Sequence, residues 1–278
     1  MSVTVTAFYK FVAIRDTDAL RGDLAAFCGA RAIKGTILIA EEGINATVAG
    51  PDEAISALLA RLKADPRFAD LVSKESYAEE PPFQRLKVKI KREIVTLRRP
   101  EADPSRRVGT YVAPEHWNAL VSRGDVVVID TRNVYEVAIG TFKGALDPGT
   151  RAFSEFPEFV SNRLDPATHP RIAMFCTGGI RCEKASAYML AQGFPEVYHL
   201  EGGILKYLET IPPEESLWQG ECFVFDARVA LDHGVVPGTH VMCRRCGSPV
   251  AAEDGGEATC PHCSAGVSDG DGAQATTR

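Results

Sequence analysis

The sequence predicts an α/β protein of two domains with a small cysteine-rich segment behind them, and three observations carry that expectation. The first hundred residues alternate strand-like and helix-like patterns. Two continuous apolar runs, VVVID at 126–130 and RIAMF at 171–175, then stand between helical stretches, as buried parallel strands do. Two C-x₂-C pairs lie near the end of the chain. A length of 278 residues leaves room for this, at about 100–200 residues per domain.

VTVTAFYKFVAI is rich in β-branched and aromatic residues and reads as a strand. A helix follows from Asp16, with Leu20, Leu24 and Phe27 on one face, closed by Cys28-Gly29. TILIA and INATVAG flank Glu41-Glu42-Gly43, where glycine supplies the backbone freedom of a tight hairpin. Gly50-Pro51-Asp52 opens a second helix striped by Ile55, Leu58, Leu59 and Leu62. LKVKI is then read as the last strand, with Leu86, Val88 and Ile90 toward the core. The order β-α-β-β-α-β is the ferredoxin-like, split β-α-β arrangement, so residues 1–99 are expected to be a ferredoxin-like α+β domain. Residues 100–110, with two prolines and no periodicity, read as a linker. The helix PEHWNALVSRG and the two buried runs belong to a second domain, 111–215, and 216–263 is an extension that includes the cysteine pairs. No internal repeat is present, and 264–278 reads as a disordered tail.

Composition sets limits on function. With 45% hydrophobic and 24% charged residues, wholesale disorder is excluded. No apolar run approaches the ~18–20 residues of a membrane span, and residues 1–11 lack the pattern of a secretory leader. A cytoplasmic protein with no membrane partner is expected, and its eight cysteines are then better read as metal ligands and reactive thiols than as disulfides. The net charge of −6 is unevenly spread: residues 1–110 carry 18 Lys+Arg against 15 Asp+Glu, whereas 111–278 carry 13 against 22. Within 85–107 nine basic residues face three acidic ones. Alternation puts Lys87, Lys89 and Lys91 in a row on one strand face, followed by Arg92, Arg98 and Arg99, a set that fits a phosphate backbone. A solvated strand face is the plainer alternative.

The main chemical signal is IAMFCTGGIRCEKASAYML. Cys176 follows a buried strand and opens a glycine-containing loop into a helix, where loop N–H groups and the positive helix end favour a thiolate. Arg181 adds positive charge, and Cys182 falls in the first helical turn, within reach of thiol exchange or else facing the core. A cysteine phosphatase needs five residues between Cys and Arg; only four are present, with Cys182 where the arginine should be. Cys243, Cys246, Cys260 and Cys263, with thirteen residues between the pairs, fit a closed tetrahedral zinc site, His262 being a bystander. Such a site is structural. Cys28 and Cys222 are expected in the core. No GxGxxG, HExxH or ferredoxin-type cysteine run points to a nucleotide, flavin or iron group.

Residues 111–210 resemble a rhodanese domain, an α/β fold, through Asp130-Thr131-Arg132 with Glu136 and Gly140, Lys143-Gly144-Ala145, the active loop 176–181 and Gly202-Gly203. They depart from it in Thr141, where many rhodaneses have His, and in lacking a Trp after Gly202-Gly203. Together with the first domain, CTGGIRCEKAS, WQGECFVFDARV (218–229) and the four-cysteine segment, the chain resembles the bacterial rhodanese-domain tRNA uridine hydroxylases over about residues 3–263. The resemblance implies oxygen-dependent formation of 5-hydroxyuridine at the tRNA wobble position, with molecular oxygen as co-substrate, Cys176 as the key residue and the anticodon arm as partner. No obligate protein partner is evident. A rhodanese-type sulfurtransferase carrying a persulfide on Cys176 is the alternative. Asp130 and Arg132 could reach the loop or brace the scaffold, and Asn45, in EEGINAT, reads as a close-approach position.

Overall fold

The computed structural model describes residues 3–252 together with Cys260 and Cys263. The expectations for His262 and for 264–278 lie outside the described residues.

β1 (Val3–Phe11), α1 (Thr17–Gly29), β2 (Lys34–Ala40), β3 (Gly43–Gly50), α2 (Asp52–Lys63), β4 (Ser73–Ala78) and β5 (Leu86–Ile90) build the first domain around one sheet of order β4-β1-β3-β2-β5. The ferredoxin-like order therefore holds, with one correction. Its last strand is Ser73–Ala78, antiparallel to β1, whereas Leu86–Ile90 is an added edge strand parallel to β2. SKESYA escaped notice because its apolar residues do not alternate, and it sits at an edge where burial demands less. The glycine of the hairpin is required sterically: a Cβ on Gly43 would come within 2.1 Å of the Lys10 carbonyl oxygen.

Leu20, Leu24, Cys28, Ile55, Leu58 and Leu62 of the helices pack on Phe8, Ile37, Ile39, Ile44 and Val48 of the sheet. Leu86 and Val88 join this core from the edge, so Lys87 and Lys89 fall on the other face, while Ile90 is exposed rather than inward. That other face, bearing Val5, Tyr9, Asn45, Lys74 and Ser76, is turned to the second domain. Asn45 donates to the Ile94 carbonyl at 3.1 Å and so pins the chain leaving β5.

The second domain holds a parallel sheet of β6 (Thr110–Val112), β7 (Val127–Asp130), β9 (Arg171–Phe175) and β10 (Glu196–Leu200) in the order β6-β10-β9-β7. Around it lie α3 (Pro114–Val121), α4 (Val134–Val137), α5 (Phe156–Arg163), α6 (Ile180–Ala191) and α7 (Gly203–Thr210). β8 (Gly140–Phe142) pairs with β11 (Trp218–Gly220), which carries Trp218 into this core. β12 (Cys222–Phe223), β13 (Ala230–Asp232) and β14 (Val236–Pro237) form a small sheet, and β15 (His240–Met242) pairs with β16 (Pro249–Ala251) beside the paired cysteines. Cys28 and Cys222 are fully buried, as expected. No helix among the described residues is long and apolar enough to cross a membrane.

The domains are locked together. Leu97 and Ala102, in and beside the linker, are buried in the second domain's core. Lys184 of α6, 2% exposed, reaches both Glu42 oxygens at 2.8 Å, Glu93 at 2.6 Å and the Val95 carbonyl at 3.0 Å. Asp226 fixes Arg228, which reaches Ser76 of β4 at 2.7 Å, so the FDAR stretch clamps the same face. Lys184→Ala would leave two carboxylates facing one another in the seam, at a cost below the ~3–5 kcal/mol of a wholly buried pair because both keep some water and backbone donors. We expect differential scanning calorimetry to show a lowered first transition separated from the second; one unshifted transition would contradict the lock.

Candidate active site

β9 delivers Cys176 to the mouth of the parallel sheet, and α6 begins four residues later at Ile180, behind Gly179, whose φ of +102° suits glycine. The loop therefore curls its N–H groups toward the sulfur. The Gly179 N–H donates to Cys176 Sγ at 3.1 Å. α7 braces the loop from outside: Ile204 and Leu205 N–H groups donate to the Cys176 and Thr177 carbonyls at 2.9 and 3.1 Å. A Cβ on Gly203 would stand 2.5 Å from the first of these oxygens, which explains the second glycine of the pair.

Cys176 has no exposed surface. Burial alone would raise its pKa, yet the Cys182 thiol, the Arg181 charge and the Cys182 and Gly179 N–H groups together bring it down to about 5. Cys182 moves the other way, pushed well above the usual thiol range by burial and by the neighbouring thiolate. Its sulfur lies 3.5 Å from Thr131 Oγ1, and the Thr131 hydroxyl is itself held by the Phe175 carbonyl at 3.0 Å. The two thiols thus differ in character.

The charged residues under the loop are bracing. Arg181 gives its two terminal nitrogens to Glu136 at 2.6 and 2.7 Å, which directs its fork away from the sulfur. Glu136 also caps α4 by accepting from the Asn133 N–H at 3.1 Å. Arg132 grips Asp130 at 2.9 and 2.6 Å and the Gly140 carbonyl at 2.5 Å, and Thr141 donates to Asp130 at 2.9 Å. Asp130, Arg132 and Glu136 are wholly buried, so of the two sequence readings the scaffold is the one seen.

What the sequence did not suggest is the roof over the loop, much of it from the first domain. Lys74 of β4 donates to the Gly178 carbonyl at 2.7 Å. Tyr9 of β1 lies against Gly179 and donates to Glu183 of α6 at 2.7 Å. The Tyr111 hydroxyl acts on Glu183 in the same sense, favouring its charged form. Burial pushes Glu183 above the usual carboxylate range against those two hydroxyls, and pushes Lys74 below the usual lysine range against the pull of Cys176 and Glu183. Glu183 stands inside CTGGIRCEKAS and could have been singled out there; nothing local marks Tyr9 or Lys74, since only the sheet register brings them here.

The basic residues lie at some remove on the surface. Lys91, Arg92, Arg98 and Arg99 are exposed and line a cleft of about 960 Å³ along the domain seam, which Glu42 and Lys184 also border. Lys87 and Lys89 are half-buried on β5 and do not line it. Far along the chain, Cys243 and Cys263 sulfurs lie 3.8 Å apart and those of Cys246 and Cys260 3.5 Å. Four thiolates about 2.3 Å from one tetrahedral ion would be spaced about 3.8 Å, so the group could hold a metal ion.

An activated thiol on a strand-to-helix loop of a rhodanese-type sheet, roofed by an acylphosphatase-like domain, defines the class. Residues 3–94 match the UPF0176 acylphosphatase like domain and residues 113–210 the rhodanese-like domain. A protein of Albidiferax ferrireducens named tRNA uridine(34) hydroxylase is 57% identical over 252 residues, 89% of this chain and 79% of its own. Proteins of the same name from Rhizobium leguminosarum bv. trifolii and Sinorhizobium medicae are each 56% identical over 90% of the chain, with 81% and 79% of their own lengths covered. The chain belongs to the tRNA uridine(34) hydroxylase family.

With a Cys176 pKa near 5, the thiolate is present above that value and lost below it. Ultraviolet thiolate absorbance of the reduced protein should show a thiol titrating near pH 5 that Cys176→Ser removes, distinct from Cys246, whose backbone and hydroxyl donors bring it to about 6. A Cys176→Ser difference that titrates near pH 9 would contradict the loop electrostatics.

Proposed function

We propose that this protein hydroxylates uridine 34 of tRNA to 5-hydroxyuridine in the cytoplasm, with molecular oxygen as co-substrate and Cys176 as the nucleophile. The observation that carries the reading is Cys176 in a loop whose Gly179 N–H points at its sulfur, under a roof from the first domain, in a chain whose relatives bear the name tRNA uridine(34) hydroxylase. The anticodon arm lies along Lys91, Arg92, Arg98 and Arg99, with Lys87 and Lys89 adding positive potential behind them. A uridine leaves its stack to enter the site. Because Cys176 is covered while Lys74 holds the loop, the base reaches the sulfur when that side chain swings from the Gly178 carbonyl.

The thiolate adds to C6 of uracil, forming an S–C6 bond and sending the C5–C6 electron pair toward C5 and O4. Once off the Gly178 carbonyl, the Lys74 ammonium is free to meet that developing charge together with the loop N–H groups, whereas the Arg181 fork stays on Glu136. Electron-rich C5 takes oxygen as a hydroperoxide, whose O–O bond is cleaved to C5–OH and water with two electrons and two protons from a thiol reductant. Loss of the C5 proton to Glu183, whose burial makes its carboxylate a stronger base than an exposed one, then expels Cys176 and restores the C5–C6 double bond. Arg181 and Cys182 complete the reactive centre, the first by positioning the loop through Glu136. A structural zinc ion on Cys243, Cys246, Cys260 and Cys263 would fix the C-terminal segment. A sulfurtransferase would use the same thiol but leaves the Lys74 and Tyr9 roof and the exposed Lys91, Arg92, Arg98 and Arg99 without a task.

Nucleoside mass spectrometry on tRNA from a deletion strain tests this. Complementation with the wild-type chain should restore 5-hydroxyuridine and its derivatives, and Cys176→Ser should restore none. Lys91→Glu with Arg99→Glu should weaken tRNA binding and flatten its salt dependence by about one unit of log–log slope for each phosphate no longer neutralised. Undiminished 5-hydroxyuridine with Cys176→Ser would refute the assignment.

A further inference from the structure

Hydroxylation by oxygen has an electron requirement that Cys176 alone does not meet. One oxygen atom goes to C5 and the other leaves as water, which takes two electrons and two protons. A second thiol beside the first is a source of both, and Cys182 is placed as one: it stands in the first turn of α6, into which the Cys176 loop runs, both residues have no exposed surface, and both sit in one cluster of the core. Cys182 is held on its other side by the Thr131 hydroxyl, so its sulfur is fixed rather than free to rotate away. The two remaining cysteines of the domains, Cys28 and Cys222, belong to other clusters.

Resting on the hydroxylase reading above, we propose that Cys182 is the resolving thiol of Cys176 and that the pair supplies the two electrons of the reaction. Cys176 adds to C6, and oxygen adds at C5 to give a hydroperoxide. The Cys182 thiol attacks the terminal oxygen of the hydroperoxide, the O–O bond breaks, and C5–OH and a Cys182 sulfenic acid result. Loss of the C5 proton expels Cys176, which attacks the Cys182 sulfur and releases water as the disulfide forms. Summed, uridine, oxygen and two thiols give 5-hydroxyuridine, water and one disulfide, with no electrons left over. An external dithiol reductant resets the pair by exchange. The thiols' unequal character fits the division, since the ionised one is the carbon nucleophile and the protonated one waits for the peroxide.

The test uses full-length protein reduced without oxygen, freed of reductant, mixed with tRNA and then exposed to oxygen. Expected is a single turnover, with 5-hydroxyuridine and a Cys176–Cys182 disulfide formed in equal amounts by nucleoside and peptide mass spectrometry, and restored turnover on adding a dithiol. Cys182→Ser should bind tRNA as the wild type does, fail to turn over and accumulate RNA attached to Cys176. If that variant does not fold, the stoichiometry in the wild type decides alone. Product without matching disulfide, or wild-type turnover by Cys182→Ser, would overturn the resolving role while leaving hydroxylation intact. No 5-hydroxyuridine from the wild type, even with dithiol present, would remove the hydroxylase reading and this inference with it.

Discussion

Glu136 is a carboxylate with no access to water, and it stays ionised there because Arg181 forks onto it and Arg132 lies close by. Burial pushes its pKa up, and those charges with the Asn133 N–H bring it below the ordinary value. The consequences reach several elements. Asn133 at the start of α4, Arg181 at the start of α6 and Thr177 in the loop are all tied to one side chain, so the strand end bearing Asp130 and Arg132 and the loop bearing Cys176 keep a fixed relation. Removing one member would strand an unpaired charge in the interior, which costs far more than the pair itself contributes.

A second dependence joins the domains. The sheet of the first domain buries its helix face in the usual manner, and its other face, open to solvent in an isolated domain of this type, is turned onto the second domain. That face delivers Tyr9 and Lys74 to the thiol loop, and the clamps formed by Lys184 and by Arg228 hold the delivery in register. The proposed RNA binding by the exposed arginines and the proposed chemistry at Cys176 therefore both depend on the assembled seam rather than on separate modules.

Much of this was legible in the chain. The helix stripes, the EEG hairpin, the two buried runs and the cysteine spacing are local patterns, and each element formed where its pattern stood. The strand SKESYA was not legible, because an edge strand with polar residues on both sides lacks the alternation that marks a half-buried one. Cys176 could be found from its loop. The role of Arg181 could not, since only the fold brings Glu136 to it, and the same holds for Lys74, which lies 102 residues before Cys176 and reaches its loop through strand register alone. Ile90 faced outward for a related reason: at the free end of an added edge strand, alternation continues past the helices that would cover it.

The central claim is that Cys176 attacks the wobble base beneath the roof formed by the first domain. A tRNA carrying 5-fluorouridine at position 34 tests it most directly, because the fluorine blocks the final loss from C5 and leaves the base on the enzyme. Digestion and peptide mass spectrometry should then find the nucleotide joined to Cys176. Attachment to another residue, or persulfide on Cys176 with no RNA bound to it, would contradict the account.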